Sequence, residues 1–226
     1  MKPIAISILG LALAPLFVAG CSTTASDVRS SDKPALHNQD MGAMQLPPGW
    51  TEADMQACMA AGIPGKMQEH LAQSVGTWTG TSTMWMAPGA PAVTSPANAT
   101  ITLEMDGRYT KCEHNGEMPG MGPFHGIGWY GYDNVAQKFV STWLDNHSSG
   151  IMYGSGTLSS DGKTITWSYD YTDPVTKKPA TMREIERWTG SDSMMLEMHG
   201  NDPKSGQEYK MMQIEMKRKP GTGPRG

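Results

Sequence analysis

Two histidines and two methionines lie close together in the stretch KCEHNGEMPGMGPFHG, residues 111–126. His114, Met118, Met121 and His125 follow the spacing H-x3-M-x2-M-x3-H. Thioether and imidazole groups are soft ligands that suit Cu(I), so the pattern predicts a copper loop if the four side chains converge. The alternative interpretation is a methionine-rich β-hairpin with Gly and Pro in its connection.

Glu184 and Glu186 are the candidate pair of catalytic carboxylates. They share one face of a predicted strand, about 7 Å apart at the two-residue repeat. Two carboxyl groups at that separation can serve glycoside hydrolysis. The favoured alternative is that both are exposed and paired with Arg183, Arg187 or lysines of neighbouring strands.

No pattern in the sequence indicates nucleophilic or haem chemistry. A nucleophile elbow is missing, and Cys112 precedes Glu113, whose charge would raise a thiol pKa. His199 is the only late histidine for a haem, and alternation places it with Met195 and Glu197 on a face that we assign to the outside. We predict no catalytic residues and no cofactor, and the sequence favours a non-enzyme over an enzyme.

The first twenty residues predict a bacterial lipoprotein signal peptide. Lys2 precedes an apolar segment over 4–18, which is too short to span a membrane. The ending VAGC resembles a lipobox, which makes Cys21 the lipid attachment site and gives the protein a membrane anchor. Ser22, in place of Asp, favours an outer-membrane lipoprotein facing the periplasm. The alternative is an ordinary cleaved signal with a chance cysteine.

Charge and cysteine content narrow the partners of the mature chain. Removal of the signal peptide takes away Lys2, one of the 18 basic residues of the chain. The mature chain then has 17 basic and 22 acidic residues and a net charge of −5. Such a chain has no basic field for nucleic acid. Cys58 and Cys112 remain, and an oxidising compartment would allow a disulfide between them. Two buried thiols are the alternative.

Composition and periodicity divide the mature chain into four parts. Residues 21–48 are polar and predict a flexible tether. A helical segment follows over 49–74, with a capping box at Thr51 and a stop at Gly62. A strand-like period of two begins at Val75 and continues to residue 218. The parts are a tether 21–48, a helical segment 49–74, a barrel domain 75–218 and a disordered tail 219–226.

Ten short strands with short turns predict an all-β fold, a ten-stranded antiparallel up-and-down barrel with a short N-terminal helical segment. A closed barrel leaves no exposed sheet edge. A β-sandwich is the alternative architecture. The predicted strands are 75–86, 97–105, 108–115, 124–132, 138–145, 150–158, 164–171, 179–189, 193–200 and 206–218.

Alternation along these strands predicts an apolar, aromatic and methionine-rich interior, with room for one small ligand. Ile165, Trp167 and Tyr169, for example, share one strand face. Methionines that only fill the core are the alternative, because 19 of them are spread through the chain. The predicted ligand-binding residues are Trp78, Trp143, Met152, Trp167, Tyr169 and Met198.

The stretch GTWTG, residues 76–80, resembles the first strand of calycin barrels such as lipocalins and nitrobindin-like proteins. In those folds the tryptophan closes one end of the barrel under a basic residue from the last strand. The resemblance implies that Trp78 packs against Arg218 or Lys217.

A closer resemblance covers about residues 50–218. The stretches EHLAQSVGTWTG, APGAPAVTS, PFHGIGWYGYDN, FVSTWLDNHSSGIMYGSGT and EYKMMQIEMKRK are similar, in order and spacing, to the bacterial "domain of unknown function fifteen-seventy-nine" family. That resemblance implies a calycin-like barrel and brings no settled activity.

The function predicted from the sequence is that of a lipid-anchored envelope protein that binds a small apolar or amphipathic ligand inside a β-barrel. An enzyme acting on such a ligand is one alternative. A Cu(I)-binding or envelope-stress protein using the 114–125 hairpin is another. The last is a filled barrel that acts only as an interaction surface.

Overall fold

The computed structural model describes residues 46–224, which belong to one compact unit. They form a closed barrel of ten antiparallel strands, each paired with its neighbours in sequence, and β1 pairs with β10. This confirms the predicted barrel and rules out the sandwich. The strands are β1 (Gly76–Met84), β2 (Val93–Glu104), β3 (Tyr109–Met118), β4 (Gly122–Asp133), β5 (Lys138–Asp145), β6 (Met152–Leu158), β7 (Thr164–Thr172), β8 (Pro179–Gly190), β9 (Ser193–Asn201) and β10 (Glu208–Arg218).

Two short helices, α1 (Glu52–Ala61) and α2 (Lys66–Ala72), precede the barrel. The capping box of α1 is present: the Thr51 hydroxyl accepts from the Asp54 N–H, and the Asp54 carboxylate accepts from the Thr51 N–H. α1 buries no side chain, whereas α2 buries Gln68 and Leu71. Gln68 donates to the carbonyl of Tyr132 at 3.0 Å, which holds α2 over one end of the barrel.

The meander gives the barrel two different ends. α2 runs directly into β1, so the closed end holds α2 and the turns that follow β2, β4, β6 and β8. The other end, called the mouth below, has no helix among the described residues. The mouth consists of the connections 85–92, 119–121, 146–151, 173–178 and 202–207.

Trp78 and Arg218 seal the closed end, as the calycin resemblance implies. The two residues are register partners, and the Arg218 guanidinium lies 4.5 Å from the centroid of the fully buried Trp78 ring. Arg218 also donates to the carbonyls of Val75 and Gln73. Arg218, and not Lys217, is therefore the basic residue of this contact.

The predicted disordered tail begins too early. The Lys219 N–H donates to the carbonyl of Thr77 at 2.7 Å, and the Thr222 hydroxyl accepts from the Thr77 N–H at 3.0 Å. The chain after β10 therefore continues along β1 as far as Thr222. The predicted signal peptide 1–20, Cys21 and the tether up to residue 45 lie outside the described residues.

Candidate functional site

The 114–125 hairpin lies at the mouth, but its histidines point to opposite faces of the sheet. His114 pairs with Gly126 and faces the interior, whereas His125 pairs with Asn115 and faces outward. The His125 Nδ1 lies 2.9 Å from the Asn115 side-chain oxygen on that outer face. Side chains alternate along a strand, so His114 and His125 cannot share one metal ion. The hypothesis of a four-ligand copper loop is therefore wrong.

His114 is a half-buried histidine of the interior, and both of its ring nitrogens are buried. Its ring meets Phe124 edge-on at 5.8 Å between centroids. Neither ring nitrogen has a hydrogen-bond partner among the residues from 46 to 224. Burial lowers the pKa of His114, so the ring is neutral and keeps one free donor and one free acceptor inside the barrel.

The six predicted ligand residues all face the interior, and they form two groups that differ in burial. Trp78, Trp167 and Tyr169 are fully buried in the two hydrophobic cores. Trp143, Met152 and Met198 are half-buried, and the Trp143 indole donates to Asp145 at 3.0 Å. Only the second group presents accessible surface to a ligand, and the ligand contacts themselves stay a prediction.

Half-buried side chains occur on the inward face of many strands. Cys112 and Tyr130 lie at least three residues from the ends of β3 and β4, yet both keep accessible surface. Both also pack against the hydrophobic cores, Tyr130 against the core that contains Trp167 and Cys112 against the core that contains Trp78. Inward residues of this kind are Cys112, Tyr130, Trp143, Met152, Met198 and Met212.

Glu184 and Glu186 face the barrel interior, contrary to the expectation that they are exposed and ion-paired. Glu184 is 3 % exposed, and it lies opposite Trp167 on β7 and Met198 on β9. Glu184 Oε1 has no hydrogen-bond partner in the described part of the chain, and Glu186 accepts only from the Trp167 indole, at 3.4 Å. The favoured sequence-based interpretation of this pair was therefore wrong.

Burial and the neighbouring carboxyl raise the pKa of Glu184 to about 8. Burial also raises the pKa of Glu186, against the lowering effect of the Trp167 hydrogen bond. A carboxyl group without a positive partner is much less stable ionised in a low-dielectric interior than in water. At neutral pH Glu184 is therefore mostly a neutral acid.

Three hydroxyl groups surround these carboxyls from other strands. Tyr130 on β4 and Tyr169 on β7 have pKa values raised first by burial and further by the charge of Glu184. Ser141 on β5 is buried with its hydroxyl beside the Tyr169 ring, and hydrogen bonding with Ser141 and Tyr130 partly offsets the raised pKa of Tyr169. We call Glu184, Glu186, Tyr130, Ser141 and Tyr169 the interior polar cluster.

Two concavities lie outside the barrel interior. One of about 510 Å³ runs over the outer face of the strands from β6 to β10, where its lining includes Ser168, Arg183 and His199. His199 pairs with Arg183 and Lys210 on that outer face, so it cannot hold a haem inside the barrel. The other, about 440 Å³, lies beside Trp188 and Arg218 at the closed end.

The disulfide that the sequence allowed is not formed, and the alternative of two buried thiols is also wrong because Cys58 is exposed. Cys58 is exposed on α1, whereas Cys112 faces the interior of β3, and both thiols are free. Burial, with smaller contributions from Glu186, Glu184 and Glu113, raises the pKa of Cys112 to about 12. Cys112 therefore remains a neutral thiol in the folded protein.

Sequence reasoning missed the interior polar cluster, although one signal for it was present. Glu184 and Glu186 share their strand face with Met182 and Trp188, which are apolar. That alternation alone would have placed both carboxyls inside. Buried carboxylates are rare in proteins, so both glutamates were assigned to the outer face in spite of the alternation.

Two solved structures are similar to this chain in fold, at 13 % sequence identity each. Rv2717c from M. tuberculosis has a TM-score of 0.53 over 70 % of this chain and 99 % of that one. The S-type phycobiliprotein lyase CPES from Guillardia theta has a TM-score of 0.51 over 71 % and 96 %. No curated protein matches the chain.

No helix among the described residues is long and apolar enough to span a membrane. The model of one protein family matches residues 63–218. This range includes α2 and every strand of the barrel. This chain belongs to that family, which is described as "Protein of unknown function (DUF1579)".

Proposed function

We propose that this protein binds a small apolar or amphipathic molecule inside its barrel, and that the molecule enters through the mouth. The observation that carries the proposal is the partly accessible interior, where inward side chains of β3, β4, β5, β6, β9 and β10 remain half-buried. Barrels of this size hold one small ligand when their own side chains do not fill them.

The side chains beside that space suit an apolar ligand of variable shape. Met152, Met198 and Met212 have flexible thioether chains that repack around different molecules. Trp143 adds a large apolar ring whose polar end is already bonded to Asp145. The interior polar cluster gives the same space a few groups that can orient a polar end of the ligand.

Binding of N-phenyl-1-naphthylamine, a neutral apolar fluorophore, tests the proposal. Residues 22–226 are suitable, because they include the whole described barrel. We expect enhanced fluorescence on binding, and at least tenfold weaker binding by Met152→Trp, which fills the interior. Met86→Trp makes the same change at an exposed position of the mouth and should bind normally. No binding by either the unchanged protein or Met86→Trp would show that the barrel is filled.

Native mass spectrometry of the same protein, purified from the envelope of its own cells, would identify a bound molecule. An apolar or amphipathic mass that departs on gentle activation supports the proposal. A protein that carries no ligand, together with no fluorophore binding, contradicts it.

We further propose that Cys21 carries the lipid and that the barrel faces the periplasm from the outer membrane. The small residues before Cys21, the apolar segment 4–18 and Ser22 support this placement. The wild-type chain should incorporate labelled palmitate and fractionate with the outer membrane. Cys21→Ser should lose both properties, and Cys58→Ser should keep both. Retention of the label by Cys21→Ser would contradict the anchor.

A further inference from the structure

The charge of the interior restricts the kind of molecule that it can hold. Glu184 and Glu186 are consecutive inward residues of β8, Glu184 buried and Glu186 half-buried, and neither has a basic partner among residues 46–224. Ser141, 6 % exposed, adds a buried hydroxyl from β5 beside the Tyr169 ring. Each unpaired buried polar group costs on the order of 1–3 kcal/mol, so a ligand that bonds to them gains binding energy.

The five residues belong to one region of the interior. A methyl group at Gly154 would overlap both the Ser141 hydroxyl and the Tyr169 ring, which shows that these two side chains meet over β6. The Tyr130 and Trp167 rings meet edge-on at 5.5 Å. Trp167 in turn lies opposite Glu184 and donates to Glu186.

In the part of the chain that the structure describes, the basic side chains near this region are held by other partners or lie on the outer face. Arg218 faces inward, but it is held at the closed end by Trp78 and by two backbone carbonyls. Arg183 lies on the outer face of β8 and pairs with Glu208 at 3.0 Å. Lys210 pairs with Glu197 on the outer face of β9. His114 is neutral because burial lowers its pKa.

An interior whose described residues include two carboxyl groups and no free cationic side chain discriminates between amphiphiles by their head groups. A fatty-acid carboxylate would have to lie near Glu184 and Glu186 without a compensating cation, which is unfavourable at low dielectric. An ammonium group donates hydrogen bonds to carboxylates and is attracted to aromatic faces such as that of the half-buried Tyr130.

Resting on the proposed function, we propose that the barrel selects amphipathic amines, with the protonated nitrogen against Glu184 and Glu186 and the apolar body among the side chains toward the mouth. Amine binding requires ionisation of a carboxyl group, and the ammonium group supplies the missing positive partner. The cost of burying the pair without a counter-ion is then recovered in the complex.

Three ligands with the same chain and different head groups test this selection. Dodecylamine, dodecanol and dodecanoate are titrated calorimetrically into residues 22–226 at pH 7.5, below their aggregation concentrations. We expect dodecylamine to bind at least tenfold more tightly than dodecanol, and dodecanoate to bind at least tenfold more weakly than dodecylamine.

Isosteric variants assign the preference to the two carboxyls. The double variant E184Q/E186Q should bring the ratio of amine to alcohol affinity close to one while dodecanol still binds. Glu215→Gln removes one charge from an exposed outward position of β10 and should keep the preference. Near-ultraviolet circular dichroism checks that the tryptophan environments are unchanged in each variant.

The possible failures are distinguishable. Dodecanol binding without any preference for the amine, or with preference for the carboxylate, overturns the amine selection and leaves the proposed function intact. A preference that survives E184Q/E186Q places the amine elsewhere and also overturns the inference. Absence of binding by all three ligands overturns both proposals.

Discussion

A buried acid without a partner, Glu184, is the least expected residue of this barrel. Natural cores rarely retain such groups, because an unpaired carboxyl lowers the stability of the folded state. Its position opposite Trp167 and Met198 leaves no described cation within reach to neutralise it. We therefore attribute the presence of Glu184 in the interior to function and not to stability of the fold.

Replacing Glu184 with Gln should make folding less dependent on pH. The folded pKa of about 8 lies above the ordinary value of 4.5, so ionisation of the unfolded chain destabilises the native state progressively between pH 4.5 and 8. Below pH 4.5 both states are protonated and the effect is absent. Glu184→Gln should therefore gain about 3 kcal/mol of unfolding free energy at pH 7, and little at pH 4.

Urea unfolding at several pH values measures this difference. Glu215→Gln is the control, since Glu215 is exposed on the outer face. A gain for Glu184→Gln that is the same at pH 4 and pH 7 would show that the Glu184 carboxyl is not the titrating group.

Gly80, the last residue of GTWTG, is required by the close approach of two strands. It faces inward on β1 beside Met216 of β10. A methyl group there would overlap the carbonyl oxygen of Glu215, which belongs to the backbone and cannot rotate away. We expect Gly80→Ala to lose at least about 2 kcal/mol of unfolding free energy.

Thermal unfolding checks the Gly80 prediction against a glycine in open space. Gly150, in a mouth connection, has no atom within 4 Å of its hypothetical methyl group. Gly150→Ala should therefore leave the midpoint nearly unchanged. Equal effects of the two substitutions would mean that β1 and β10 do not approach as closely as described.

At the level of elements, the junction of α2, β1 and β10 closes the barrel. Arg218 at the end of β10 bonds to the carbonyls of Gln73 and Val75, which lie between α2 and β1. The Trp78 indole donates to the carbonyl of Ser74 at 2.9 Å. First and last strands are thus joined by side chains as well as by the backbone ladder.

Arg218→Lys should destabilise this junction although it keeps the charge. Lysine has no planar fork, so it cannot reach both carbonyls while it stacks on Trp78. Loss of charged hydrogen bonds of this kind costs about 2 kcal/mol of unfolding free energy. Lys217→Arg, on the exposed outer face, is the matched control and should have no effect in urea unfolding. A fully stable Arg218→Lys would contradict the role of the guanidinium fork.

The mouth connections contain two similar loops, DPVTKK (173–178) and DPKSGQ (202–207). Each loop begins with an aspartate. The backbone N–H of this aspartate donates across the loop, and its carboxylate accepts from backbone N–H groups. These bonds lower the pKa of Asp173 and of Asp202. The mouth is therefore partly framed by loops that are ordered by their own side chains.

At the scale of the whole molecule, methionines serve two purposes at different depths. Met182 and Met216 belong to the buried cores. Met86 and Met121 lie at the mouth, 63 % and 59 % exposed. The methionines of the 114–125 hairpin thus belong to a rim or to the interior and not to a metal site.

Mild oxidation with hydrogen peroxide should separate these methionines by position. We expect Met86 and Met121 to form sulfoxides at least tenfold faster than Met182 and Met216, because oxidation requires access to the sulfur. Peptide mapping by mass spectrometry measures each rate, and unfolding in urea should make the rates similar. Rapid oxidation of Met182 in the folded protein would contradict the closed core.

Much of the fold could be predicted from local patterns. Thr51 with Asp54 specified the start of α1, and period-two alternation located all ten strands to within a few residues. The site was harder to predict, because the six proposed ligand residues include three that are sealed in the cores. Which inward side chains keep accessible surface depends on contacts between strands far apart in sequence.

The sequence by itself determined the strand order, the turns and the inward face of most strands, because these follow from alternation and from nearby turn residues. Only the tertiary structure decided which residues meet. Closure of the barrel through β1 and β10 placed Arg218 on Trp78, and the register of β3 and β4 separated His114 from His125. The same closure enclosed Glu184 and Glu186 without a cation from residues 46–224. Their chemistry therefore depends on neighbours that the linear chain does not show.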